Sequence, residues 1–124
     1  MKKRLALGIL LCWMALGLAH AEEGAGLSPG FQVFWTKFQA GVAKEDKEAV
    51  SELMSFPFYL GEAVQRPQFL PRYRNLFTPK VKACFSKAKP TKDDIFYIVY
   101  CDPDTFRFGM VNGEWRLMEV ANND

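Results

Sequence analysis

The sequence predicts an α+β domain in which N-terminal helices pack on a curved antiparallel sheet. Three observations carry that expectation. Phe31, Phe34, Trp35, Phe38 and Val42 recur at helical spacing early in the chain. Asn112-Gly113 lies between two apolar runs near the end, the strongest short signal for a hairpin. The helical signals precede the main strand signals, whereas a parallel α/β fold would alternate them.

The first residues read as a targeting segment. Met1-Lys2-Lys3-Arg4 is a basic start, Leu5 to Leu18 is apolar and uncharged, and Ala19-His20-Ala21 fits the small-x-small rule of signal peptidase. Residues 1–21 are therefore expected to be a signal peptide cleaved after Ala21, with the product periplasmic or secreted. An uncleaved anchor is the competing reading, since the apolar run is only slightly short of a span. A lipoprotein fits less well, because Leu11 precedes Cys12 where a small residue is required.

Of the 124 residues, 16 are Lys or Arg and 14 are Asp or Glu, a net charge of +2. Without residues 1–21, 13 basic and 14 acidic residues remain, so the charge becomes −1 and the lone histidine, His20, is lost. Histidine-dependent nucleophilic catalysis and the common histidine metal sites are thereby excluded. No basic stripe for nucleic acid is present. Lys80, Lys82, Lys87, Lys89 and Lys92 read as a solvated face with lysines suited to a helix C-terminus.

Residues 22–30 read as a flexible lead-in and residues 31–124 as a single domain. Ser28-Pro29 is a cap followed by proline at the first helical position, so the first helix should run from about Pro29 to Ala43. Asp46 caps a second, short helix with Val50, Leu53 and Met54 inward, stopped by Phe56-Pro57. Residues 56–60 are expected to form a brief strand, whose proline places it at a sheet edge or at the strand's start. A third helical segment opens at Gln65-Arg66-Pro67 and carries Phe69, Leu70, Tyr73, Leu76 and Phe77. Thr78-Pro79 caps a fourth, with Val81, Cys84 and Phe85 inward, and residues 88–94 form a charged loop.

The last third is β. Ile95 to Cys101 is apolar on both faces and reads as a central strand covered on both sides. Asp102-Pro103-Asp104 is a turn, and residues 105–111 and 114–121 are strands joined by the Asn112-Gly113 type I′ turn. A regular register from that turn places Met110 opposite Trp115, Phe108 opposite Leu117 and Phe106 opposite Glu119. One face then collects Phe106, Phe108, Met110, Trp115, Leu117 and the carboxylate of Glu119.

Cys84 and Cys101 are the only cysteines beyond the signal. In an exported chain an even count suggests a disulfide, here closing a loop of roughly 17 residues and contributing about 3 kcal/mol. Two buried thiols are the main alternative. The spacing is not C-x-x-C, and redox or metal use is the least favoured reading. No cofactor or metal is expected.

The run Phe34-Trp35-x-x-Phe38-x-x-x-Val42, then Asp46-Lys47-x-x-Val50-x-x-Leu53, then Phe56-Pro57-Phe58, resembles the opening of small exported NTF2-like (cystatin-like fold) bacterial proteins. Val111-Asn112-Gly113-Glu114-Trp115-Arg116-Leu117 is similar to that superfamily's closing hairpin. The resemblance implies a cone in which the sheet curls around the long helix, often with a pocket at the open end. It covers most of residues 31–121 through packing motifs, and members range from isomerases and dehydratases to transport factors. It therefore leaves function open.

If a pocket opens, the candidate lining residues are Trp35, Phe38, Tyr59, Tyr73, Tyr97, Phe108 and Trp115, although each is first an ordinary core aromatic. Glu119 is the catalytic candidate, because a carboxylate on an apolar face is solvated at the sheet end, paired with arginine, or functional. Glu62 is a lesser one, and Asp93, Asp94, Asp102 and Asp104 read as turn residues. Arg66, Arg72 and Arg74 flank an aromatic stripe and could clamp an anion, against the plainer reading of a solvated face. The favoured function is a non-catalytic exported binding or interaction module, of inhibitor or immunity type or binding a small apolar ligand. Its partner would be that ligand or an envelope protein, with a homodimer also admitted. The alternative is a small NTF2-like enzyme using a buried carboxylate and a tyrosine.

Overall fold

A computed structural model describes residues 26–122. The expected signal peptide and residues 22–25 lie outside the described residues. Helix α1 spans Pro29–Ala43, as the cap signal predicts. Ser28 Oγ accepts from the backbone N–H of Phe31 at 3.3 Å, and Pro29 loses nothing by lacking an N–H there. Its buried side is Phe31, Phe34, Trp35, Phe38, Gly41 and Val42. Helix α2, Lys47–Glu52, starts at Asp46, whose Oδ1 accepts from the Ala49 N–H at 3.1 Å. It packs close to α1 because Gly41 has no side chain: a Cβ there would lie 2.9 Å from Val50 Cγ2.

The strand expected across 56–60 is confined to β1, Phe58–Tyr59. It pairs with β2, Ala63–Val64, an element that carried no signal in the sequence. The third helical segment is likewise broken, into α3 (Arg66–Phe69), a 3-10 turn (Leu70–Arg72) and α4 (Tyr73–Leu76). Pro71 is the cause, since it lacks the N–H that a continuous α-helix would use. Helix α5, Pro79–Lys87, begins at Thr78, whose Oγ1 accepts from the Val81 N–H at 3.2 Å.

The main sheet is an antiparallel meander in the order β3 (Thr91–Asp93), β4 (Phe96–Cys101), β5 (Asp104–Val111), β6 (Glu114–Asn122). The expected loop at 88–94 therefore contains an edge strand, paired through Thr91 with Ile98 and Asp93 with Phe96. Strand β4 is central but not covered on both sides. Tyr97, Val99 and Cys101 face the helices, while outward Tyr100 is 64% exposed and Ile95 lies outside the strand at 68%. On the outer face Ile98 lies opposite Arg107, whose guanidinium sits 5.1 Å from the Phe96 ring centre, so the arginine stem shields this surface.

The Asn112-Gly113 turn adopts the expected positive φ values, 52° and 81°. From it Val111 pairs with Glu114, Met110 with Trp115 and Phe108 with Leu117. The regular register then ends. A bulge between Arg107 and Phe108 brings Arg107 opposite Glu119 and Phe106 opposite Val120. The extra residue, Met118, shifts every later side chain of β6 to the other face. Glu119 thus leaves the apolar face and the partly buried Val120 takes its place against the core. Met110 falls on the inner side by alternation with Phe106 and Phe108 but is 52% exposed.

Strand β6 is also gripped from its free edge. Leu117 N–H donates to Leu53 O and Ser55 N–H to Leu117 O, both at 2.9 Å. The disulfide Cys84–Cys101 is formed and ties α5 to the end of β4. Between sheet and helices Phe31, Phe38, Phe58, Phe69, Phe85, Phe106 and Phe108 are fully buried. Each such ring contributes roughly 1.5–3 kcal/mol of burial.

Candidate functional site

The interior is filled by rings. Phe31 stacks on Tyr97 at 3.9 Å, Phe38 meets Phe108 at 5.3 Å and Phe85 meets Phe106 at 4.9 Å. Five of the seven pocket candidates, Trp35, Phe38, Tyr73, Tyr97 and Phe108, are therefore core residues. Tyr97 Oη accepts from the Ser28 N–H at 3.0 Å, so its hydroxyl serves the entry to α1. Trp115 closes this cluster, 5.1 Å from Phe31 and 5.4 Å from Tyr97. Tyr59 stands apart on the β1–β2 hairpin and is 61% exposed.

Glu119 is on the outer face of the sheet, with Oε1 2.8 Å from Arg107 Nη1. Of its three readings, the structure takes the arginine pair. Glu62 accepts from Arg72 Nη2 at 2.9 Å. The three arginines do not converge on one clamp: Arg66 reaches Ser51 and Glu52, Arg72 reaches Glu62, and Arg74 reaches Glu45. Each is met by an acidic partner of the chain, which leaves no common anion site among them.

Two surface concavities hold the remaining candidates. The smaller, about 270 Å³, contains Tyr73 with Glu45, Lys47 and Arg74. Tyr73 stacks on Phe77 at 4.9 Å, and its buried Oη has no hydrogen-bond partner among the described residues. Burial first, then the nearby Glu45 and Asp46 carboxylates, push its hydroxyl up to about 12. Glu45 is held below the usual carboxylate range, chiefly by the hydrogen bond and charge of Lys82 and then by Arg74.

The larger is a groove of about 510 Å³ between α1 and the α5–β3 connection. It is lined by Leu27, Gln32, Gln39, Lys87, Lys89 and Pro90, with Trp35 reaching it through the 5% of its surface that is exposed. Gln39 Nε2 donates to Phe85 O at 2.9 Å and holds the end of α5 against α1. Of the seven aromatic candidates, Trp35 alone contributes to this groove. Sequence reasoning missed Gln32 and Gln39. Their spacing of seven along α1, flanking Trp35, is the signal that marks one polar side of the aromatic stripe. Lys87 and Lys89 read as a solvated face, and nothing local says that the chain after α5 turns back beside Trp35.

Among the described residues no group of three His, Cys, Asp or Glu could hold a metal ion, and no helix is long and apolar enough to cross a membrane. The chain matches no family model, no curated protein and no solved structure.

Proposed function

We propose that the chain is an exported, non-catalytic binding module of NTF2-like build that takes its ligand or protein partner in the groove over Trp35. The carrying observation is the groove itself, about 510 Å³ between α1 and the α5–β3 connection. Trp35 packs on Phe108 in the core at 5% exposure, and the little of it that reaches the surface does so there, beside Leu27, Pro90, Gln32, Gln39, Lys87 and Lys89. A concave site with an apolar floor and a few polar groups is the usual form of a binding pocket. The formed disulfide fits an oxidising compartment and so supports export. An isomerase- or dehydratase-type enzyme lacks comparable support, because Glu119 pairs with Arg107 away from the inner aromatic face.

The test is a pull-down from periplasmic extract with mass spectrometry of captured proteins and co-purified small molecules. It compares the unaltered chain with the double variant Gln32→Glu/Lys89→Glu. Reproducible capture that disappears in the variant is expected. Recovery of nothing reproducible, or capture indifferent to the variant, overturns the reading.

A further inference from the structure

The Cys84–Cys101 bridge has two unlike ends. Cys101 closes β4 on the side that faces the helices, is 5% exposed and belongs to the core. Cys84 is only partly buried, on α5 between the buried Val81 and Phe85 and the exposed Lys80, Ala83 and Lys87. Charge divides the same way. Lys80 and Lys87 stand four residues before and three after Cys84, on one side of the helix. Asp102 follows Cys101 directly, and Asp104 pairs with it across the β4–β5 turn. The C-terminal end of α5 opposes an anion approaching Cys84 with a partial charge of about −0.5, which the two ammonium groups offset. At Cys101 burial and both carboxylates act against the same approach.

A disulfide is made or opened when a thiolate reaches one of its sulfurs, so access and local charge select which one. From the asymmetry of this bridge we infer that Cys84 is a thiol-exchange site, the position at which a small thiol or disulfide of the glutathione type attaches to the domain. In the opening direction the external thiolate attacks Cys84 Sγ. A new S–S bond forms there, the bond to Cys101 breaks, and Cys101 leaves as a thiolate that takes a proton from water. In the forming direction the Cys84 thiolate attacks the external disulfide and expels one thiolate; the Cys101 thiolate then attacks Cys84 Sγ and expels the other. The unequal access outlasts the bridge, because α5 is also held by buried Val81 and Phe85 and by the bond from Gln39 Nε2 to Phe85 O. Cys84 does not line the groove over Trp35, so the inference is independent of the binding role given to that groove.

Cys101→Ala and Cys84→Ala each leave a single thiol. Both variants are incubated with glutathione disulfide, and adducts are followed by mass spectrometry while circular dichroism reports the fold. Cys84 is expected to take up glutathione at least about tenfold faster than Cys101, and the ratio to collapse towards one in urea. Equal rates in the folded variants, or a faster Cys101, overturn the assignment. The unaltered protein supplies a second measurement that needs no variant to fold. After a brief pulse of reduced glutathione and alkylation, peptide maps should place glutathione on Cys84 and the alkyl group on Cys101. The reverse placement overturns the inference, as does a bridge that glutathione leaves intact.

Discussion

Replacing Tyr73 with phenylalanine removes one hydroxyl and leaves the packing in place. The ring is 3% exposed, stacked on Phe77 and edge-on to Phe69 at 6.1 Å, and none of those contacts uses the oxygen. A buried hydroxyl without a partner costs roughly 1–3 kcal/mol. Tyr73 Oη adjoins a surface concavity, so the low end applies and Tyr73→Phe should stabilise the domain by about 1 kcal/mol. For a domain of about 100 residues that is a rise in Tm of roughly 4–8 °C.

The same hydroxyl makes a pH-dependent contribution. Its folded value of about 12 lies above the ordinary tyrosine value of 10.0. Between those values the folded state keeps the proton while the unfolded chain loses it. The unfolded state then binds fewer protons, and stability falls as pH rises through that window. Because the hydroxyl adjoins a surface concavity and solvent screens part of the effect, the loss near the upper end is about 1 kcal/mol, and Tyr73→Phe abolishes it. Urea unfolding followed by circular dichroism at about pH 8, 10 and 11.5 measures both effects. The reasoning is refuted if the variant is less stable by 1 kcal/mol or more near pH 8, which would mean that the hydroxyl donates to an acceptor in solution. Parallel alkaline losses in both proteins would refute the shift.

Three further outcomes follow from the packing. Reducing Cys84–Cys101, which closes a separation of 17 residues, should cost about 3 kcal/mol in a denaturation titration with and without dithiothreitol. Free thiols on the unreduced exported protein, read by alkylation and mass spectrometry, would contradict the bridge itself. Glu119→Gln should change stability by less than about 1 kcal/mol, because the pair with Arg107 is half exposed; a larger loss in a thermal melt would give this carboxylate a role beyond the surface pair. Gly109→Ala should destabilise by roughly 1–3 kcal/mol, since its Cβ would meet Met118 Sδ and lie 2.9 Å from Phe96 Cδ1. Adding Met118→Ala should recover part of that loss, and an unchanged Tm in the single variant would show that these side chains yield freely.

Much of the fold is legible because its signals are short-range. Ser28-Pro29, Asp46 and Thr78-Pro79 each cap a helix through a side-chain oxygen and a backbone N–H three residues on. Asn112-Gly113 sets the hairpin through its own backbone angles. These interactions close within a few residues, so composition and spacing carry them. Pro71 was equally visible, yet the apolar stripe from Phe69 to Phe77 spoke for a continuous helix, and only the broken backbone reconciles the two.

The candidate site depends on contacts between distant segments. Strand β3 exists because β4 offers it a partner, and residues 91–93 have little strand character of their own. Glu119 faces outward because one unpaired residue, Met118, is absorbed in β6. A regular strand would have turned the carboxylate toward Phe106, and desolvating it there is costly; the bulge puts Val120 inside and gives Glu119 to Arg107. The groove likewise forms where the chain leaving α5 passes beside Trp35, held by Gln39 across 46 positions of sequence. The amino-acid sequence by itself determined the helix starts, the hairpin turn, the α+β order and the absence of histidine chemistry beyond His20, because those rest on local bonding and on residue identity. Only the tertiary structure decided which aromatic rings are spent on the core, Trp35 and Tyr73 among them, and which, such as Tyr59 and Tyr100, meet solvent, because that choice is made by packing between segments far apart in the chain.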